Sequence, residues 1–200
     1  MAARLHVSRP TARQALQRLV DRGLLTRRRG VGTIVSPRHV HRPMELTSLM
    51  RDLVNAGHKV HTTIQRYEAR PANAQEADIL KITEGTLIVH IERTRFANDE
   101  PIAVLTNFIP TDIAPTMQEL ESASLYDLMR ERGVTLASAR QVIGARSATT
   151  KEAKLLSEHR GAALLTTQRT TYDPSGRIVE YGNHIYRASR YSFEASLFAQ

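Results

Sequence analysis

Residues 8–35 read SRPTARQALQRLVDRGLLTRRRGVGTIV, and this stretch decides the front of the fold. Ser8 is a good N-cap, and Pro10 falls in the first helical turn, where a missing N–H costs nothing. Ala12, Ala15, Leu16, Leu19 and Val20 recur at i, i+3, i+4, i+7 and i+8, so one helix face is apolar. Arg9, Arg13 and Gln17 fall four apart on an opposite face that is basic and polar. Gly23 stops the helix and Leu24 and Leu25 return to the core. Arg27, Arg28, Arg29, Gly30, Val31 and Gly32 then precede a short strand at 33–35. A basic helix followed by a tight basic hairpin is the plan of a winged helix-turn-helix. The helix enters the major groove by its N-terminal end, and the hairpin reaches the flanking backbone or minor groove. Most basic stripes are simply solvated. Here the arginines gather at the two places a duplex would touch, and glycines at the hairpin tip let the backbone approach phosphates.

The charge distribution agrees. The 200 residues carry a net charge of +8 and a pI near 10.3, which favours polyanionic partners. The basic excess is steep in residues 1–43, where Asp21 is the one acidic residue, and the remainder is close to balanced. That asymmetry predicts a DNA-binding head on a body with another task. The absence of cysteine excludes disulfides and thiolate metal sites and suits a cytoplasmic protein. No signal peptide and no long apolar run is present, so neither export nor membrane insertion is expected. Residues 36–43, SPRHVHRP, read as a linker with no apolar period, and His39 and His41 as solvated rather than metal-bound.

Beyond the linker the chain repeats itself. A shift of 76 residues superposes Ser48-Leu49 on Ser124-Leu125, Gly57 on Gly133, Ala69-Arg70 on Ala145-Arg146, Glu76-Ala77 on Glu152-Ala153, and Arg93-Thr94 on Arg169-Thr170. Over residues 47–96 this gives thirteen identities in fifty, against roughly three for unrelated pairs. Two copies are too few for a solenoid, so two similar halves around one core are expected. Each half predicts a serine-initiated helix (48–56; 124–132), an extended segment (60–67; 138–145), and a short helix opened by a capping box at Asn73/Glu76 or Thr149/Glu152 and closed by Gly85 or Gly161. A hairpin follows in each, 87–96 with 102–109 and 164–172 with 178–186. The expected class is α+β, an antiparallel sheet with helices packed on it.

In the strand at 87–96, Leu87, Val89 and Ile91 share one face, and Arg93 and Arg95 continue it. Two arginines on a core-facing stripe need partners. One solution is a bound anion, aided by the helix starts at Ser48 and Ser124. The other is an internal carboxylate such as Glu180.

The string V-S-R-P-T-A-R-Q-A-L-Q-R-L…G-L-L…R-R-G-V-G-T resembles the recognition helix and wing of GntR-family bacterial transcription regulators. The resemblance implies contacts to bases and phosphates from Ser8, Arg9, Pro10 and Arg13, and wing-tip contacts from Arg29 and Gly30. Pro10 stands where several members carry a hydroxyl residue. Members also carry a helix, and the start of a second, ahead of this point, of which only residues 2–5 match a tail. The expectation is a start internal to a longer reading frame; a head that no longer binds DNA well is the competing reading.

Residues 44–200 are similar to the UTRA effector-binding domain of the HutC subfamily. The similarity rests on R-T-R-F-A-N-D-E-P-I-A, S-A-S-L-Y-D-L and R-T-T-Y-D-P-S-G-R-I-V-E-Y…Y-R. It implies a chorismate-lyase-like fold with a phosphate held at Arg93, Arg95, Ser124 and Tyr126, helped by Ser48, Leu49 and Met50. It also implies that Glu180 and Tyr186 touch the rest of the ligand. Leu105 stands where sugar-phosphate-responsive members carry a glutamate, and Met50 replaces a hydroxyl residue. The expected ligand is therefore a phosphate ester or carboxylate with a less hydroxylated body.

The expected organisation is a winged helix-turn-helix head (1–35) lacking its first helix, a linker (36–43) and a UTRA body (44–200). The expected function is a cytoplasmic homodimeric repressor that binds a two-fold operator in double-stranded DNA and responds to a small anionic effector. No cofactor, metal or catalytic residue is expected. A lyase or hydrolase using the same pocket is the rival, and it lacks a metal-ligand cluster, a nucleophile elbow and paired carboxylates. A metabolite sensor without DNA binding is the third reading.

Overall fold

Ser8 opens the first helix as its residue type dictates: its hydroxyl accepts the Thr11 N–H at 3.2 Å, and α1 (Arg9–Asp21) follows. The computed structural model describes residues 8–21, 25–28, 32–35, 40–43, 46–195 and 197. In α1, Ala12, Leu16 and Leu19 are partly buried while Ala15 and Arg13 are exposed. A hairpin of β1 (Leu25–Arg28) and β2 (Gly32–Val35) pairs antiparallel from Leu25↔Val35 to Arg28↔Gly32, so the wing begins earlier than the expected 33–35 strand.

The expected linker is partly structured. Val40–Pro43 forms β3, which pairs in parallel with a strand the sequence reading did not include, Tyr191–Glu194, named β10 below. The body then runs α2 (Leu49–Asn55), β4 (Val60–Pro71), α3 (Ala74–Leu80), β5 (Leu87–Ala97), β6 (Glu100–Pro110), α4 (Met117–Ser122), α5 (Leu125–Glu131), β7 (Ser138–Ser147), α6 (Thr150–Leu155), β8 (Ala163–Tyr172), β9 (Ile178–Arg187) and β10 (Tyr191–Glu194). Strands β4 to β9 form one antiparallel sheet in the order β4-β5-β6-β9-β8-β7. The hairpins β5–β6 and β8–β9 meet at its centre, where Thr106 faces Asn183. The repeat is thus a pair of half-sheets related by an approximate two-fold through that contact.

Both halves are built by the same local chemistry. The boxes predicted at Asn73/Glu76 and Thr149/Glu152 are present, each with reciprocal side-chain and backbone hydrogen bonds. Arg70 grips Glu76 at 2.7 and 2.6 Å, and Arg146 grips Glu152 at 2.7 and 2.5 Å. The short helices stop before the expected glycines: Lys81 takes a left-handed C-cap (φ 55), and Gly85 (φ 84) shapes the turn after it.

Helices cover both faces of the sheet. On one, α4 and α5 pack Leu120, Leu125, Leu128 and Met129 against Val89, Ile91 and Ile109, while α2 packs Leu49 and Leu53 beside Ala103, Leu105 and Tyr186. On the other, α3 and α6 cover Ile88 and Phe108, and Val104 and Ile185. Full burial of a side chain such as Leu53 or Leu156 contributes about 1.5–3 kcal/mol. Leu87, expected on the core stripe, is exposed at the strand start. Helix α4 was not expected, although Thr116 and Glu119 carry the capping-box signature that opens it. Among the described residues no helix is long and apolar enough to cross a membrane.

Candidate functional site

Strand β5 carries Arg93 and Arg95 to the covered face of the sheet, beneath the starts of α2 and α5. Each is only 2% exposed. Arg93 donates one Nη2 hydrogen bond to Asn107 Oδ1 at 2.9 Å, while its Nε and Nη1 are buried without a partner. Arg95 donates to the Thr62 hydroxyl, and its Nε is likewise unpartnered. Among the described residues neither arginine is ion-paired with a carboxylate.

The carboxylate offered as an internal partner is taken elsewhere. Glu180 is fully buried on β9, where Oε1 accepts from Asn107 Nδ2 at 2.6 Å and Oε2 accepts from the Thr171 and Tyr126 hydroxyls at 2.7 and 3.2 Å. Its charge reaches Arg93 only at a distance. Burial pulls the Arg93 guanidinium down to about 10, with Glu180 pushing back up. Burial, with the like charge of Arg93 beside it, pulls Arg95 down to about 9. Burial and Glu180 push the Tyr126 phenol up to about 12. Two cationic groups held in low dielectric without a carboxylate in direct contact are costly to the empty protein.

These groups border a cavity of about 40 Å³, where one water needs roughly 10–15 Å³. Of the expected ligand residues, Ser48, Leu49, Met50, Arg93, Arg95, Tyr126, Glu180 and Tyr186 line it. Ser124 does not, but it lies two residues before Tyr126, buried with its hydroxyl unpartnered. Its twin Ser48 spends the hydroxyl on the Arg51 N–H at 3.1 Å, an ordinary N-cap, whereas Ser124 makes no side-chain cap.

Four polar lining residues escaped the sequence reading: Thr47, Asn107, Arg169 and His184. Two carried a usable signal. Arg169 is the repeat twin of Arg93. His184 falls on the 180, 182, 184, 186 face of β9, in step with Glu180 and Tyr186. Gly182, between them, is what lets them converge. A Cβ there would stand 2.5 Å from His184 Nε2 and 2.6 Å from Glu180 Oε1.

The cavity connects to the strand that follows the head. Tyr186 stacks on Tyr191 of β10 with ring centroids 4.3 Å apart, and Tyr191 is in register with Val40 of β3. Val40, Leu49, Leu105, Tyr186 and Tyr191 form one buried cluster.

In the head, Ser8, Pro10 and Arg13 are exposed along the first turns of α1. Arg9 sits at the start of that helix. Arg29 and Gly30, expected at the wing tip, lie outside the described residues.

Comparison with known proteins adds the rest. A family model described as the UTRA domain matches residues 55–192, and one described as bacterial regulatory proteins, gntR family, matches residues 1–35. The HTH-type transcriptional repressor NagR of Bacillus subtilis (strain 168) is 34% identical over 195 residues, covering 96% of this chain and 80% of that protein. The histidine utilization repressor of Klebsiella aerogenes is 26% identical over 197 residues, covering 97% of this chain and 81% of that protein. The crystal structure of PhnF from Mycobacterium smegmatis superposes with a TM-score of 0.75 at 25% identity, covering 100% of this chain and 89% of that one.

Proposed function

The chain belongs to the gntR family of bacterial regulatory proteins, in its UTRA-bearing HutC group, and from that premise we propose that it represses transcription under the control of a small anion bound at Arg93 and Arg95. The family consists of DNA-binding transcription regulators, not enzymes. The observation that carries the proposal is the pair of buried guanidinium groups with unpartnered N–H donors and no carboxylate ion pair. An anion supplies the missing acceptors and the missing charge together.

In this reading Arg93, Arg95, Ser124 and Tyr126 hold the anionic group, with Ser48, Leu49 and Met50 closing over it. Glu180, Tyr186 and the newly found Asn107 and His184 meet the remainder. Leu105 and Leu49 make that remainder partly apolar, and a phosphate ester or a carboxylate fits. Ser8, Arg9, Pro10, Arg13, Arg29 and Gly30 contact an operator, and two copies present two heads to a two-fold site. The anion regulates by binding one arrangement of the heads more tightly than another. The Tyr186–Tyr191 stack and the β10–β3 pairing give that preference a physical route to the head.

The test has two arms. Calorimetric titration with inorganic phosphate, sulfate and small carboxylates should give saturable binding that Arg95→Met weakens by on the order of 100-fold. A mobility shift with an operator-bearing fragment should weaken steeply with salt and weaken again when the anion is added. Absence of heat with all three anions, or an anion that leaves the shift untouched, would overturn the proposal.

A further inference from the structure

The two-fold that relates the halves exchanges Thr106 with Asn183 at the centre of the sheet. On the face covered by α3 and α6 it also exchanges two rows of side chains, and these are filled differently. Under α3 the row is aromatic. His90, Phe108 and Tyr181 lie in register on β5, β6 and β9. Ring centroids stand 4.6 Å apart for His90 and Phe108 and 6.1 Å for Phe108 and Tyr181, with planes 26° and 22° from parallel. The Arg70 guanidinium lies over the Phe108 ring, 5.9 Å from its centroid.

Under α6 the matching row is Thr166, Ile185 and Val104, in register on β8, β9 and β6. Each ring is replaced by a smaller side chain: threonine for histidine, isoleucine for phenylalanine, valine for tyrosine. What covers the row is the same. Arg146 grips Glu152 and donates to the Ser147 carbonyl at 3.2 Å, as Arg70 grips Glu76 and donates to the Pro71 carbonyl at 3.0 Å. The missing rings leave a groove of about 190 Å³, where an apolar cavity of roughly 150 Å³ holds a benzene ring. Val104, Ile185 and Leu155 supply its apolar lining, and Glu92, Thr106 and Asn183 stand side by side across β5, β6 and β9 as a polar wall. Among the described residues the Thr106 and Asn183 side chains make no hydrogen bond. Glu92 meets Lys151 at 3.7 Å, longer than a hydrogen bond.

We propose that this groove is a second small-molecule site, across the sheet from the anion cavity, and that it takes a flat, amino-substituted heteroaromatic ring of nucleobase size. The other half of the chain supplies the template. A ring set where Phe108 lies in that half rests on Ile185 and Val104 with the Arg146 guanidinium over its face. Its edge meets side chains of matching chemistry. The Glu92 carboxylate accepts from a ring amine, and the Asn183 amide and Thr106 hydroxyl each donate and accept at an edge that presents an amine beside a ring nitrogen. An anionic ligand is disfavoured, because Glu92 and Glu152 line the groove and Arg146 is already paired with Glu152. The groove shares strands β6 and β9 with the anion cavity but none of its lining side chains. The inference therefore goes beyond the functional reading above and does not depend on it.

Calorimetric titration of the full chain with adenine and with cytosine should give saturable binding, and with cyclohexylamine none. Ile185→Phe rebuilds in the groove the ring that the other half carries. It should weaken adenine binding by at least about tenfold, keep or raise the parent's melting midpoint, and leave sulfate binding at Arg93 and Arg95 unchanged. Asn183→Ala, at an exposed position that packing does not constrain, should weaken adenine binding roughly fivefold, the contribution of one hydrogen bond. Arg95→Met should leave adenine binding as it is. Heat from neither base, cyclohexylamine binding as strong as adenine binding, or an adenine affinity that survives both Ile185→Phe and Asn183→Ala overturns the site. Loss of adenine binding in Arg95→Met would put the base in the anion cavity and overturn it as well. The parent's sulfate titration decides the anion reading whatever the bases do.

Discussion

Arg93 and Arg169 occupy the same place in the two halves of the body, and each has a glutamine twin upstream, Gln65 and Gln141. In the second half the pair is closed: Gln141 faces Arg169 across β7–β8 and accepts from its Nε and Nη2 at 2.8 and 2.5 Å. In the first half the pair is broken. The bulge in β4 adds a residue, so Ile64 faces Arg93 and Gln65 turns away to donate to the Thr94 hydroxyl at 2.8 Å. In that half Asn107 takes Arg93 Nη2, and among the described residues Nε and Nη1 are left buried without an acceptor. A one-residue slip thus turns a satisfied structural arginine into one that awaits an acceptor, and bulges are frequent beside functional sites for this reason. The same half adds a second cation, Arg95, where the other has Thr171, which donates to Glu180.

The largest effect should come from removing that added cation. Arg95→Met is expected to weaken sulfate binding by on the order of 100-fold, about 3 kcal/mol. Its thermal midpoint in anion-free buffer should match or exceed the parent's, because a buried unpaired charge is replaced by an apolar side chain. A clear loss of stability would show that Arg95 is satisfied in the empty protein. Sulfate does not titrate in the useful range, so it also reads the arginines' own ionisation. Burial pulls both guanidinium groups down from their ordinary value, Arg95 to about 9 and Arg93 to about 10. Affinity should therefore hold through neutral pH and fall only as pH rises past about 9.

Next in size is the contrast between Leu105, which faces Arg93, and Gly182, which faces Arg169. Glycine leaves room for His184 and Glu180 to converge, and both side chains are buried and hydrogen-bonded, so neither can yield. Gly182→Ala should cost about 1–3 kcal/mol in chemical denaturation, the range for overpacking a tight site. A neutral result would mean that the Asn107–Glu180–His184 cluster is loose.

The bulge itself can be challenged without deleting it. Ile64→Gln places an amide opposite Arg93, imitating what Gln141 does for Arg169. Sulfate affinity should drop roughly tenfold, about 1.4 kcal/mol, while the fold is retained. Unchanged affinity would argue that Arg93 stays open to ligand whatever faces it.

Periodicity and the repeat made much of this visible before the structure. Alternation along β5 put Arg93 and Arg95 on the covered face, and the 76-residue shift located both capping boxes and both hairpins. The bulge was invisible for a specific reason. Gln65 and Gln141 are identical, so the repeat predicts identical pairing, and the slip is fixed by tertiary contacts such as the one between Tyr67 and Pro115. Strand β3 was missed because its pairing with β10 joins residues about 150 positions apart and the prolines and histidines of residues 36–43 read as linker. Asn107 carries no local signature; it matters because the two central strands bring it against Glu180 and His184 across the sheet.

The smallest predicted difference lies in the part of the repeat that did not diverge. Arg70–Glu76 and Arg146–Glu152 share geometry, but the first pair is 25% and 12% exposed at its side chains and the second 45% and 20%. Solvent screens the second more, so Arg146→Ala should cost about 0.5 kcal/mol and Arg70→Ala about 1 kcal/mol. The arginine hydrogen bonds lower both glutamates, Glu152 to about 2. A carboxylate lowered on folding contributes stability above its unfolded value near 4.5 and loses it as pH falls toward the folded value. Each variant should therefore differ from the parent at neutral pH and converge with it as pH drops from about 4.5 toward 2, by denaturation at matched pH. Equal costs for the two variants would show that exposure does not separate the halves here, leaving the bulge and the added arginine as the features that distinguish them.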